Sequence, residues 1–274
     1  MIKIEKNDID LNNTITCGQI FRYTINNELY TIILDDRVVE LYEDDKYIYV
    51  TSNDESNLNE KMIEYLDLNR NYELINKELI KIDPSLEEVI KCSRGFKIIN
   101  QYPFETMISY IISANNSVRN IQKSVNLISE RYGKKIEYNN NTYYLFPTIN
   151  ELKNISIEDL NSFKLGFRSK YIYEFVNLFT EELIEYIKLL NTEDAIKYLM
   201  TYKGIGLKVA SCIMLFAYKR LDVFPIDTWV KKYMIDNYNL SNVKDIEKYT
   251  KEKYGKYSGL VIQYFFNSKR NKQN

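Results

Sequence analysis

The apolar positions change their period partway along the chain. Residues 20–25, 28–34, 38–41 and 47–51 are runs rich in Ile, Val, Tyr and Thr. Such residues suit a pleated, half-buried surface, and Asn26-Asn27, Asp35-Asp36 and Asp44-Asp45 between the runs are hairpin-turn residues. The pattern predicts that residues 1–52 form strands of an antiparallel sheet with its acidic turns in solvent. From about Asn57 the spacing becomes helical, over 58–68, 73–82 and 85–92, with Pro84 at a helix start. A strongly apolar helix follows Tyr102-Pro103, and another covers 118–131 and ends at Gly133. A loop is expected at Asn139-Asn140-Asn141. Further helices are predicted at 171–189, 192–202, 207–218, 228–238, 243–254 and 258–268. The fold class is α+β. An N-terminal antiparallel sheet with flanking helices (1–90) precedes a helical part (91–274) made of two mostly helical subdomains with a cleft between them.

Composition narrows the class. At 274 residues and 45% hydrophobic content, the chain can bury a sizeable core. No run of 18 apolar residues occurs, and MIKIEKNDID has no signal-peptide core. No membrane association and a cytoplasmic location are expected. Cys17, Cys92 and Cys212 form no CxxC pair, which removes zinc knuckles and four-cysteine iron–sulfur loops. Histidine is absent, so catalysis must use Lys, carboxylates, Tyr or Cys. Neither a catalytic metal nor a redox cofactor is expected. The formal net charge is −1, yet it is uneven: residues 1–80 carry −9, residues 81–200 are neutral and residues 201–274 carry +8. A basic final third suits phosphate, because only local charge escapes screening.

That basic third holds the stretch YKGIGLKVASCIMLFAYKRLDVFPIDTW, residues 202–229. Gly204 and Gly206 permit a tight turn and close backbone approach. A helix starts at once, and its free N–H groups can meet a phosphate. Lys208 lies at that start, against the macrodipole, where the neutral and nucleophilic amine gains relative to the ammonium. Cys212 follows one turn later on the same face. Asp227 fits the N-cap of the helix after Pro225.

Gly-Ile-Gly-Leu-Lys-Val-Ala-Ser-Cys followed by Val-Phe-Pro-Ile-Asp resembles the helix-hairpin-helix and Gly/Pro-Asp signature of DNA glycosylases, here at about 195–218 for the hairpin. The Lys and Cys resemble the 8-oxoguanine DNA glycosylase branch. Four other segments resemble the same family: Gly18-Gln19-Ile20-Phe21-Arg22, Ser113-Ala114-Asn115-Asn116-Ser117, Leu165-Gly166-Phe167-Arg168 and Tyr257-Ser258-Gly259 onward to Phe266. The resemblance implies Lys208 and Asp227 as catalytic residues. It implies a base pocket of Gly18, Cys212, Phe216 and Phe266, with Gly18 offering its carbonyl to the N7–H of oxidised guanine. It implies DNA contacts from Asn115, Phe167, Arg168, Lys203, Gly204, Gly206 and Trp229, with Asn115 filling the gap left by a flipped base and Arg168 contacting the orphaned one. The chain departs from the family in four places. Ile262 stands where a glutamine reads the base, and Gln263 comes one residue later. Lys203 and Trp229 replace a usual proline and histidine. Asn120, beside Arg119, replaces an arginine.

The function so implied is excision of 8-oxoguanine from duplex DNA through a lysine Schiff base, with strand nicking by β-elimination. The expected partner is double-stranded DNA containing oxidised guanine, and a monomer is expected. The resemblance also allows a monovalent cation at the hairpin carbonyls. Two other readings fit the same residues: an alkylpurine glycosylase of the same superfamily, and a non-catalytic damage-binding protein.

Overall fold

The computed structural model describes residues 1–6 and 8–271; the last three residues of the 91–274 segment lie outside it. A five-stranded antiparallel sheet has the order β1-β5-β4-β3-β2, with β1 (Ile2–Glu5), β2 (Tyr23–Asn26), β3 (Leu29–Ile33), β4 (Val38–Glu43) and β5 (Tyr47–Ser52). In β5 every second residue is buried, as a sheet with one wet face requires. Asn27 and Glu28 both take positive φ between β2 and β3, the backbone that a tight hairpin with right-handed strand twist needs. β1 pairs with β5, Ile4 opposite Ile48, inside the 1–52 strand region although no separate run there was singled out from the sequence. Residues 1–52 are also not all strand: α1 (Leu11–Ile15) starts where Asp10 accepts a hydrogen bond from the Asn13 N–H, a local cap that outweighs the surrounding β pattern.

The helical part comprises α2 (Leu58–Tyr65), α3 (Tyr72–Ile82), α4 (Leu86–Cys92), α5 (Pro103–Ser113), α6 (Val118–Tyr132), α7 (Ile149–Leu152), α8 (Ile157–Ser162), α9 (Arg168–Leu178), α10 (Glu181–Leu189), α11 (Thr192–Leu199), α12 (Leu207–Ala217), α13 (Thr228–Tyr238), α14 (Val243–Tyr254) and α15 (Ser258–Asn271). The single helix expected over 171–189 is two. Phe179 is fully buried with extended backbone, and Glu181 and Glu182 restart a helix where acids favour the N-terminal dipole. The loop expected at residues 139–141 is a hairpin: Asn139 and Asn140, both at positive φ, form its turn between β6 (Lys135–Tyr138) and β7 (Asn141–Tyr144), and Asn141 already belongs to the strand.

Two apolar clusters form. One lies under the sheet and α2, taking side chains from Ile4 to Leu68 and then Ile99. The larger contains Tyr72, Leu79 and Leu86 and runs through the helices to Phe265. At its centre α5 and α12 pack together, and α12 is buried from Val209 to Ala217. A helix enclosed on all sides can present chemistry only at an end, and the end of α12 that carries Lys208 is half-exposed.

Candidate active site

The turn before α12 is built as its glycines require. Gly204 has φ of 87°, and a Cβ there would lie 2.7 Å from the Tyr171 ring. The Ile205 N–H donates to the Tyr202 carbonyl at 3.2 Å, and Gly206 caps α12 with extended backbone. Lys203 is exposed and pairs with Glu174 at 3.0 Å.

Lys208 follows on the first turn of α12. Its Nζ stands 5.4 Å from the centroid of the Tyr110 ring of α5, and the buried Cys212 follows one turn along the same face of α12. Burial pushes the Cys212 thiol pKa up; Lys208 draws it down and Asp227 adds to the rise. Cys212 thus feels the charges of both Lys208 and Asp227. Asp227 is the N-cap of α13 and accepts the Val230 N–H through Oδ1 at 2.7 Å. No described donor bonds its second oxygen, so half of the carboxylate is spent on the cap and half remains.

The Gly18 turn reaches the same place from the sheet. The buried Gln19 amide donates to the Thr14 and Lys97 carbonyls at 2.7 and 2.9 Å and accepts the Ile99 N–H at 2.9 Å. Its own carbonyl accepts from the Gln101 amide at 2.8 Å and from the Tyr110 hydroxyl at 3.5 Å. These bonds lock the turn while Gly18, at φ of 90°, has no heavy atom within 4 Å of where a Cβ would stand. The open space beside Gly18 and the amine of Lys208 thus flank the same tyrosine. Tyr110 escaped the sequence reading, since a tyrosine in the apolar run of α5 looks like core. Its phenol is the only polar ring in PFETMISYIIS, and that was the available signal.

Phe216 is buried and stacks on Tyr110 with centroids 5.5 Å apart. Phe266 is half-buried and packs on Trp229 at 5.0 Å, and the Lys269 ammonium lies 4.4 Å from the same indole ring. Trp229 therefore covers the aromatic expected to meet the base. Ile262 is fully buried in the apolar core, and Gln263 is 7% exposed.

The remaining expected DNA contacts gather at a second tip. Asn115 follows α5 at φ of 50° and is exposed, as is Phe167 at the start of α9. Between them lies Arg168, only 7% exposed. Its guanidinium donates to the Ala114 carbonyl from Nε at 2.8 Å and again from Nη2, to the Asn115 carbonyl at 2.8 Å and to the Leu165 carbonyl at 3.1 Å. Four of its five N–H groups are engaged. The sequence assigns this arginine to a base; in the free protein it faces inward and fastens the two loops together.

A cavity of about 460 Å³ lies at the opposite end of α12, lined among others by Arg22, Lys61, Glu105 and Lys188. Its charges pair among themselves, Lys61 with Asp35 and Asp36, Arg22 with Glu105 and Lys188 with Glu185. Among the described residues no cluster of three His, Cys, Asp or Glu could hold a metal ion, and no helix is long and apolar enough to cross a membrane.

Comparison with known proteins agrees with this arrangement. Residues 1–107 match the family of the 8-oxoguanine DNA glycosylase N-terminal domain. The structure is similar to that of a Clostridium acetobutylicum 8-oxoguanine glycosylase/lyase, solved in complex with double-stranded DNA containing cytosine opposite 8-oxoguanine. The two are 35% identical with a TM-score of 0.92, over 100% of this chain and 99% of that one. The N-glycosylase/DNA lyase of Saccharomyces cerevisiae is 27% identical over 95% of this chain and 76% of its own length. The N-glycosylase/DNA lyase OGG1 of Arabidopsis thaliana is 25% identical over 97% and 78%. With its glycine turn, lysine, cysteine and capping aspartate placed together, and with a relative this similar over its whole length, the chain belongs to the 8-oxoguanine DNA glycosylase family.

Proposed function

We propose that this protein excises 8-oxoguanine from duplex DNA and nicks the resulting strand, with Lys208 as nucleophile and Asp227 as its electrostatic partner. The observation that supports this most directly is the Lys208 amine at the half-exposed end of α12, 5.4 Å from the Tyr110 ring and one turn before the buried Cys212. Base chemistry requires the nucleotide to leave the stack. The lesion would then enter the space beside Gly18, whose carbonyl has no described donor and suits the added N7–H. Phe266 would stack on the base opposite Cys212, once Trp229 gives way.

In the first step Lys208 Nζ forms a bond to C1′ while the bond from C1′ to the base breaks, and the base leaves with the electron pair and takes up a proton. The free oxygen of Asp227 is suited to stabilise positive charge developing on the sugar. Sugar-ring opening gives a Schiff base. Loss of a C2′ proton then expels the 3′ phosphate, which nicks the strand. Cys212 is not a rival nucleophile, because burial holds it as a thiol. The Lys203, Gly204 and Ile205 carbonyls accept no described backbone N–H, and such oxygens suit a monovalent cation beside a phosphate.

Borohydride should trap a covalent adduct between the parent protein and a duplex carrying 8-oxoguanine. Lys208→Gln should give neither adduct nor nick while keeping its affinity for the duplex. Excision at the parental rate by Lys208→Gln would remove the amine from the mechanism. Trapping in parallel on 3-methyladenine duplexes separates the alkylpurine reading, and no excision from any duplex would leave a damage-binding protein.

A further inference from the structure

Tyr110 lies within α5 and is 4% exposed. Its ring stacks on Phe216 of α12, with the planes 12° apart, and meets Phe21 edge-on at 5.7 Å. A tyrosine side chain has about two torsions, and contacts on two sides hold both. Two parts of the site end on this fixed ring. The Lys208 ammonium stands 5.4 Å from its centroid, and the Tyr110 hydroxyl donates to the Gln19 carbonyl at 3.5 Å. Gln19 is anchored in turn, because its buried side chain bonds Thr14, Lys97 and Ile99. None of the segments that resemble the family includes Tyr110.

A lysine amine swings on a flexible stem, yet one that attacks C1′ must come within about 3–3.5 Å of it. An error of about 1 Å in placement costs on the order of 100-fold in rate. A rigid ring beside the ammonium closes one side of that search, and aromatic faces attract cations within about 6 Å of the centroid. The base makes a second demand. It enters beside Gly18, next in the chain to Gln19, so the position of that turn relative to the amine decides where C1′ comes to rest. Resting on the reading that Lys208 is the nucleophile, we propose that Tyr110 is a positioning residue with two separable parts: a ring that holds the Lys208 amine toward the space beside Gly18, and a hydroxyl that sets the Gly18–Gln19 turn relative to that amine. An abasic sugar needs only the ring. A sugar that still carries 8-oxoguanine needs both.

Single-turnover rates of the full chain on two duplexes, one carrying 8-oxoguanine and one a preformed abasic site, test this. Tyr110→Phe keeps the ring. It should nick the abasic duplex at the parental rate while 8-oxoguanine excision falls by roughly 2- to 10-fold, the size of one neutral hydrogen bond. Tyr110→Leu removes the ring and should slow both reactions, abasic nicking by about 100-fold, with the duplex dissociation constant unchanged. A role in packing alone would move both rates together in Tyr110→Phe, or neither. Either of those results overturns the proposal, and this variant decides the matter even where Tyr110→Leu fails to fold. Parental abasic nicking by a folded Tyr110→Leu would remove the part given to the ring. A parent that forms no borohydride adduct overturns this inference together with the nucleophile reading. A parent that forms the adduct, beside Tyr110 variants that keep both rates, removes Tyr110 alone.

Discussion

Replacing the Asp227 carboxylate by an amide separates its two roles. Asparagine caps a helix about as well as aspartate, so the bond to Val230 N–H survives in Asp227→Asn and stability should change by about 0.5 kcal/mol or less. The charge beside Lys208 and Cys212 is lost, and single-turnover excision should fall by about 100-fold. A rate equal to the parent's, measured on protein with an unaltered melting point, would confine Asp227 to the cap. At this scale the sequence was informative where chemistry is local. Gly204, Lys208 and Cys212 are related to one another by the spacing of one helix, and Asp227 is legible by itself as the N-cap of the next; only the family resemblance joins the aspartate to the lysine. It was uninformative where direction matters. Nothing in Leu-Gly-Phe-Arg says that Arg168 turns toward the Ala114 and Asn115 carbonyls, 54 and 53 residues away.

Among the elements, the turn from α11 to α12 depends most on one residue. Gly204→Ala would set a methyl 2.7 Å from the Tyr171 ring at a φ that L-residues rarely adopt. A loss of about 1–3 kcal/mol in unfolding free energy is expected, together with weaker duplex binding, read by denaturant melts and a binding titration. A melt within error of the parent would mean that the turn relaxes freely. Periodicity revealed α5, α6 and α12 because their apolar stripes are long. It singled out no run at β1, and it read only a loop where β6 and β7 form a hairpin, since those two strands are exposed or half-buried throughout and carry no buried apolar stripe. It fused α9 with α10 because the buried Phe179 continues the apolar rhythm while its backbone has already left the helix.

Across the whole molecule, Arg22 links three parts. It leaves the sheet, donates to the Tyr144 carbonyl of β7 and stands 3.5 Å from Glu105 of α5. Burial pushes the Glu105 pKa up to about 7, against the pull of Arg22. The folded carboxyl thus keeps its proton over a range in which the unfolded one has lost it. The stability this brings is complete below about pH 4.5 and is lost as pH rises through 7, by about 2–4 kcal/mol in total. Urea midpoints between pH 5 and 8 should fall in the parent and stay flatter in Glu105→Gln; equal slopes would show that Glu105 titrates normally. Such long-range pairs were illegible beforehand, because sequence marks residue types and not which of them meet. One further consequence follows from the Arg168 tie. If Asn115 and Phe167 are the DNA contacts that the family resemblance implies, they meet a duplex as one stiff gauge whose spacing was set when the chain folded. Testing each successive base pair then requires no reordering of these loops, and sampling speed is left to how readily each DNA step yields to distortion.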